Sequence, residues 1–339
     1  MKVLFLQSAH YAHDDRVLYH QAATLQKSGI DVDVWGKERF ATFQANDTDA
    51  DVIIADTPRA LWKAHNSKAK LIYDITEWYP SKKNLRVNPF LIIPKAILMC
   101  IASLWAGYRS DALIFGEYYK SYPFRFLFPN KPSIDLPYYP DLQYISALPP
   151  HNITQCCKVL YAGPLTKEKG YFRVLEVIDK VRTLCPSTQI QLDIITNNAP
   201  DNTTKETAIH YLPYLPFKAF CETITQYDLF LDLRNNDIEN TRCLPIKLFY
   251  YMACGRPSVY TNLKAIREGV PEIGDCASLA DSSSDIAQAI SQYIQNPALY
   301  YSHCQAALTL SQKKYNWDLI KTPFTQIVGK QITTYVHKR

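Results

Sequence analysis

Residues 243–257 read Cys-Leu-Pro-Ile-Lys-Leu-Phe-Tyr-Tyr-Met-Ala-Cys-Gly-Arg-Pro, a pattern that could hold an anion. Proline fits the first turn of a helix, where its missing N–H is not needed, so Leu244-Pro245 marks a helix start at Ile246. Gly255 and Pro257 stop that helix about three turns later. Its start would present free N–H groups and a positive dipole end, and Lys247 in the first turn can add a charge. Lys169 stands next to Gly170 at another helix start, just after a strand that ends at Gly163. The plainer alternatives are a packed helix with a clean stop and a solvated lysine; the position of Lys169 favours the anion role. A second group, His10, His13, Asp14, Asp15 and Arg16, crowds one loop beyond the first strand. Histidine and aspartate can bind metal, but this spacing ahead of a helix is poor for zinc. Asp14 or Asp15 would cap the helix starting near Arg16.

Alternating strands and helices position these groups. Apolar runs at Val3–Gln7, Val32–Trp35, Asp51–Ala55, Lys70–Tyr73 and Asp111–Phe115 read as strands, with a helix from Arg16 to Lys27 stopped by Gly29. The prolines between Asn130 and Gln155 read as a linker. The plan then repeats: strands at Lys158–Tyr161, Ile190–Thr196, Ala208–Leu212 and Asp228–Asp232, with a helix over Gly170–Cys185. The reading is an α/β chain of two doubly wound Rossmann-like domains facing across a cleft, with ligands beyond the C-terminal strand ends. The first spans 1–150, the second 151–314, and residues 315–339 form a final helix.

Composition narrows the function. With 47% hydrophobic and 20% charged residues the 339-residue chain is globular and long enough for two domains. A net charge of +5 without a long basic run does not suggest nucleic acid as a partner, so none is expected, and it suits small anions or an anionic membrane surface. The nine scattered cysteines contain no C-x-x-C pair, so no zinc site or disulfide framework is indicated and a cytoplasmic setting is expected. The start, MKVLFLQSAH, is too short in its apolar part for a signal peptide. Phe90–Tyr108 is apolar apart from Lys95. Its place between two strands of one sheet predicts a buried core helix; the alternative is a helix lying in a membrane surface, with Lys82, Lys83 and Arg86 toward anionic lipid.

Taken in order, Ala162-Gly163-Pro164-Leu165, Lys169-Gly170 and Leu244-Pro245-Ile246-Lys247-Leu-Phe-Tyr250-Tyr-Met-Ala-Cys-Gly-Arg-Pro resemble the second domain of retaining GT-B glycosyltransferases, family 4 in particular, in its bacterial surface-polysaccharide branch. Asp14-Asp15-Arg16-Val17 and Tyr73-Asp74-Ile75-Thr76-Glu77-Trp78-Tyr79-Pro80 resemble that family's first-domain elements, and Tyr315-Asn316-Trp317-Asp318 its tail, whose last helix packs back on the first domain. The resemblance implies transfer of a hexose from a UDP- or GDP-type nucleotide sugar to a glycan or lipid-linked oligosaccharide, with retention. It implies no bound cofactor and no metal. Donor contacts would come from Gly163, Lys169, Asn197, Arg242, Leu244, Pro245, Ile246, Lys247 and Tyr250, and acceptor contacts from His10, Asp15, Arg16 and Trp78. Lys169, Thr76 and Glu77 would serve the chemistry. Asn240 and Thr241 could bond ribose or phosphate, or be turn residues. The chain departs from the family where glutamates are usual (Arg242, Tyr250), where a histidine is usual (Thr76) and where an arginine is usual (Pro164), with Arg242 a candidate to replace that arginine. A weakened or inactive relative acting as a binding or scaffold subunit is the alternative. An inner-membrane-face location would follow from contact through residues 90–108; oligomeric state is open.

Overall fold

The structure, a computed structural model, describes residues 2–77, 80, 85, 87–198 and 209–336, with side chains described through 331. Trp78, Lys82, Lys83 and Arg86 lie outside the described residues. The chain divides into two compact units, one of residues 1–138 with 317–339, the other of 139–316.

In the first unit β1 (Lys2–Leu6), β2 (Asp31–Trp35), β3 (Val52–Ala55), β4 (Lys70–Ile75), β5 (Ala112–Phe115) and β6 (Ser133–Asp135) form one parallel sheet in the order β2-β1-β3-β4-β5-β6. Every residue of β3 and β5 is buried, the unbroken apolar pattern required when helices cover both faces of a parallel sheet. Wider π-type turns over Arg16–Ala22 lead into α1 (Ala23–Lys27), where a single regular helix was expected. Asp14 Oδ1 accepts from Val17 N (3.2 Å), supplying the expected cap. Helix α2 (Pro58–Ala64) starts on Thr57, whose hydroxyl accepts from Ala60 N (3.1 Å), with Pro58 at the first position. Helices α3 (Ile92–Arg109) and α4 (Tyr118–Leu127) follow. The C-terminal helix, Trp317–Val336, places Trp317, Phe324, Ile327 and Val328 in one core with Val3, Phe5 and Val17.

Helix α3 overturns the expectation of a buried core helix. Only Ser103, Ala106 and Gly107 are buried, while Ile93, Ile97, Leu98 and Ile101 face outward. The small residues allow close approach: a Cβ on Gly107 would stand 2.7 Å from the Phe124 ring of α4. The large ones are left without cover among the described residues of the chain.

In the second unit β7 (Cys156–Ala162), β8 (Gln189–Thr196), β9 (Ile209–Pro213), β10 (Leu229–Asp232), β11 (Ser258–Thr261) and β12 (Ala277–Ala280) form a parallel sheet in the order β12-β11-β10-β7-β8-β9. Helices α5 (Tyr171–Leu184), α6 (Phe217–Ile224), α7 (Ile246–Ala253), α8 (Lys264–Gly269), α9 (Ser283–Gln295) and α10 (Pro297–Lys313) connect and cover it. Val174, Ile178 and Val181 of α5 share one core with Val159, Leu192, Ile286 and Ile290. The architecture is α/β, with two doubly wound Rossmann-like units.

Each sheet has one place where the strand order reverses, and ligands of doubly wound sheets sit there, beyond the carboxyl ends. In the first unit it falls between β1 and β3, in the second between β7 and β10.

Candidate functional site

At the reversal point of the second unit the loop after β7 and the loop after β10 are locked together. Gly170 has φ +82°, and a Cβ there would stand 2.0 Å from the Leu233 carbonyl oxygen, so only glycine fits. Asn235 N donates to Glu168 O (2.9 Å), and the Tyr161 hydroxyl lies within donating distance of Pro164 O (2.8 Å) and Lys169 O (3.2 Å). These contacts hold Lys169 beside the end of β10. Lys169 Nζ lies 3.4 Å from Asn240 Oδ1 and 3.4 Å from Glu168, and Asn240 is itself held by Asp237 through its N–H (3.0 Å).

At the end of β10, Asp232 and, two residues on, Arg234 form a largely buried bidentate pair, with Arg234 Nε at 2.8 Å and Nη2 at 2.5 Å from the carboxylate. Burial pushes the Asp232 carboxyl up, but Arg234, then Lys247 and Lys169, overcome this and hold it below the usual carboxylate range. Burial lowers Lys247, with Asp232 opposing and Arg234 and Lys169 adding to the depression. Three cations thus share the field of one buried carboxylate, at the start of α7, whose first-turn N–H groups add positive potential.

The expected donor residues divide by position. Gly163 directly follows β7, with its N–H donating to Ile195 O (3.0 Å), and Asn197 is exposed just past β8. Pro245 is buried at the α7 start, Ile246 is exposed and Leu244 packs against Gly269. Arg242 is exposed in a short turn (Asn240–Arg242), and Arg234 is the arginine that sits with the lysines. Tyr250 is only 9% exposed, with its ring against Phe217 (6.2 Å) and Phe220 (6.4 Å) of α6. That packing leaves little of the ring to meet a ligand. Arg234 and Asp232 were missed in the sequence, although charges at i and i+2 closing an apolar strand are a readable signal.

At the reversal point of the first unit, Asp56 follows β3 and is fixed by Ser8 N (2.9 Å) and Ala9 N (3.1 Å). It meets His10 Nδ1 at 3.3 Å. This hydrogen bond raises the His10 pKa above its ordinary value; burial opposes, and the charges of Asp14, Asp56 and Glu77 add to it. Asp15 is pushed up to about 6, by burial first and by Asp14 next, with His13 opposing. Thr76 and Glu77 extend from β4. The buried Lys120 donates to Thr76 O and pairs with Glu117 (3.4 Å), pinning this loop to α4, while Thr76 Oγ1 is buried with no hydrogen-bond partner among the described residues.

Arg16 requires a correction. Instead of facing an acceptor it is buried, with Nη1 at 2.6 Å and Nη2 at 3.0 Å from Asp74, its guanidinium over the Tyr138 ring at 4.6 Å. Gln21 Nε2 donates to the same carboxylate at 2.9 Å. The wider π-type turn brings residues five apart onto one side, which is how Arg16 and Gln21 both reach Asp74. Arg16 therefore positions the loop that carries His10 and Asp15. Asp56 and Lys120 escaped the sequence reading because nothing local marks their partners.

A pH consequence follows for His10. Its folded pKa is raised, so the His10–Asp56 contact stabilises fully below about 6.5 and is lost as pH rises through the folded value. Asp56→Asn is expected to bring the His10 titration, followed by NMR, down toward the ordinary value. An unmoved titration would mean that Asp56 does not govern it.

Among the described residues no three His, Cys, Asp or Glu side chains are grouped to hold a metal ion.

Residues 156–296, all within the second unit, match the family model described as Glycosyl transferases group 1. No curated protein matches the chain. Among solved structures, sucrose-phosphate synthase from Thermosynechococcus elongatus aligns at 11% identity with TM-score 0.70, covering 98% of this chain and 100% of that one. Anabaena HepE in complex with UDP-glucose aligns at 14% identity with TM-score 0.66, covering 97% and 100%. WaaG, a glycosyltransferase involved in lipopolysaccharide biosynthesis, aligns at 12% identity with TM-score 0.66, again covering 97% and 100%. At these identities the similarity establishes the GT-B fold of the whole chain.

Proposed function

We propose that this protein transfers a hexose from a nucleotide sugar to a glycan or lipid-linked oligosaccharide, with retention, as a family 4-like enzyme of surface-polysaccharide assembly. The observation that carries the proposal is the cation group Lys169, Arg234 and Lys247 at the reversal point of the second unit. Cleaving the donor's glycosidic bond leaves negative charge on a nucleoside diphosphate. Fixed cations and a helix start stabilise that charge with little reorganisation, and so act more on the transition state than on the ground state. The Gly170–Leu233 contact and the Tyr161 hydroxyl hold Lys169 in place before any ligand arrives. In this reading the second unit holds the donor, and the His10, Asp15 and Glu77 edge of the first unit takes the acceptor. UDP is the leading candidate for the nucleotide, since the HepE structures hold UDP and UDP-glucose.

The packing of Tyr250 against α6 and the threonine at position 76 favour a second reading, a subunit that binds but turns over slowly. Calorimetric titration with UDP, GDP, ADP, dTDP and CMP tests the donor site. Binding of one nucleotide is expected, weakened about tenfold or more in Lys169→Ala by loss of a charged contact to phosphate. No binding of any nucleotide would overturn the proposal. Binding without hydrolysis or transfer of the matching nucleotide sugar would favour the second reading.

A further inference from the structure

The outward face of α3 is the reverse of an ordinary soluble helix. Phe90, just before it, is 90% exposed, Ile93 is 71% exposed, and Ile97, Leu98, Ile101 and Tyr108 are exposed beyond it. The buried side carries Ser103, Ala106 and Gly107. A second stripe follows on α4, where Tyr118, Tyr122 and Phe126 recur every four residues and all are exposed. Gly107 meeting Phe124 places the two helices side by side. Isolated exposed apolar residues need no explanation, but one helix with this many exposed large apolar side chains marks a surface that something covers.

Charge selects the occupant. From residue 78 to residue 110 the sequence has no acidic residue and five cations, Lys82, Lys83, Arg86, Lys95 and Arg109. Basic residues with an apolar face and tyrosines beside it suit an anionic bilayer, where the rings take the headgroup level and cations add attraction. A second copy of the chain would bring the same cations against themselves.

Pro89–Arg109 is long and apolar enough to cross a bilayer. Topology forbids it. The helix links β4 to β5, which are paired neighbours in one parallel sheet with Ile72 opposite Ala112, so both helix ends stay on one side. We infer that α3, flanked by the α4 aromatic stripe, docks in the plane of an anionic lipid bilayer. Apolar side chains enter the interface and Lys95 and Arg109 meet headgroups. This goes beyond the transfer reaction and does not depend on it.

Flotation of the full chain with phosphatidylcholine vesicles, with and without phosphatidylglycerol, tests the inference. The protein is expected to float with the anionic vesicles and less with the neutral ones. Ile97→Glu with Ile101→Glu should reduce partitioning about tenfold or more, since two buried side chains are lost and two charges repelled by the surface appear. These positions are exposed, so the thermal melt should stay that of the native chain. Phe90→Ala with Ile93→Ala, remote from the Ser103–Gly107 packing, gives an independent variant with the same expected direction. Failure to float with anionic vesicles, or unchanged flotation of both variants, would overturn the inference. So would a dimer in the absence of lipid that the same substitutions dissociate, because the face would then belong to a second copy.

Discussion

Asp232→Ala is expected to destabilise the second unit by about 3–5 kcal/mol, the range for leaving one partner of a buried pair uncompensated. Arg234 would lose both of its bonds to the carboxylate, and the shared buried charge that offsets the mutual repulsion of Arg234, Lys247 and Lys169 would be gone. Lys247 should titrate still lower than it does with Asp232 present, because the opposing charge is gone. Urea unfolding gives the size of the loss. The same experiment with inorganic pyrophosphate separates the electrostatic account from simple packing. A dianion or stronger binding among the three cations would replace the missing charge, so it should restore more stability to the variant than it adds to the native protein. Equal stabilisation of both proteins, or an unchanged unfolding midpoint for Asp232→Ala, would show that the cations do not act as one group.

Asp74→Ala is expected to cost a comparable amount in the first unit. Arg16 would keep a buried guanidinium without its bidentate partner, and the Gln21 amide would lose its acceptor as well. The double variant Arg16→Met with Asp74→Leu should recover much of the loss, because apolar replacement of a buried pair is often neutral or better. Denaturation of both singles and the double closes the cycle. A double variant as unstable as the sum of the singles would mean that the two residues serve separate partners. Because Arg16 and Gln21 tie the π-type segment to Asp74, the double variant should also release the loop that carries His10 and Asp15.

The strands were legible because a parallel sheet covered on both faces demands unbroken apolar runs, and Val3–Leu6, Val52–Ala55 and Ala112–Phe115 supply them. The α7 start was legible because Pro245 and Gly255 act locally. What the sequence hid was long-range. Arg16 looked available for a ligand because Asp74 lies 58 positions away, although a carboxylate inside the buried run Tyr73-Asp74-Ile75 does call for a partner. The orientation of α3 was hidden for another reason: a helix apolar on every side carries no periodicity to say which face is inside. The small residues Ser103, Ala106 and Gly107 at helical spacing were the available clue. Arg242 and Arg234 stand on one loop after β10 and were both in reach of the phosphate argument; the pairing of Arg234 with Asp232 is what sets it, rather than the exposed Arg242, among the lysines.

The C-terminal helix belongs to the core that Val3 and Phe5 begin. The first unit is therefore interrupted in the chain by the whole of Tyr139–Asn316. Domains ordinarily complete in order as they leave the ribosome, amino end first. Here the order must invert: the nascent first unit holds an open apolar groove until Trp317–Val336 is made, while the inserted unit can close before it. Residues 2–138 wait for residues 317–336, and the vulnerable species during synthesis is the half-built first unit.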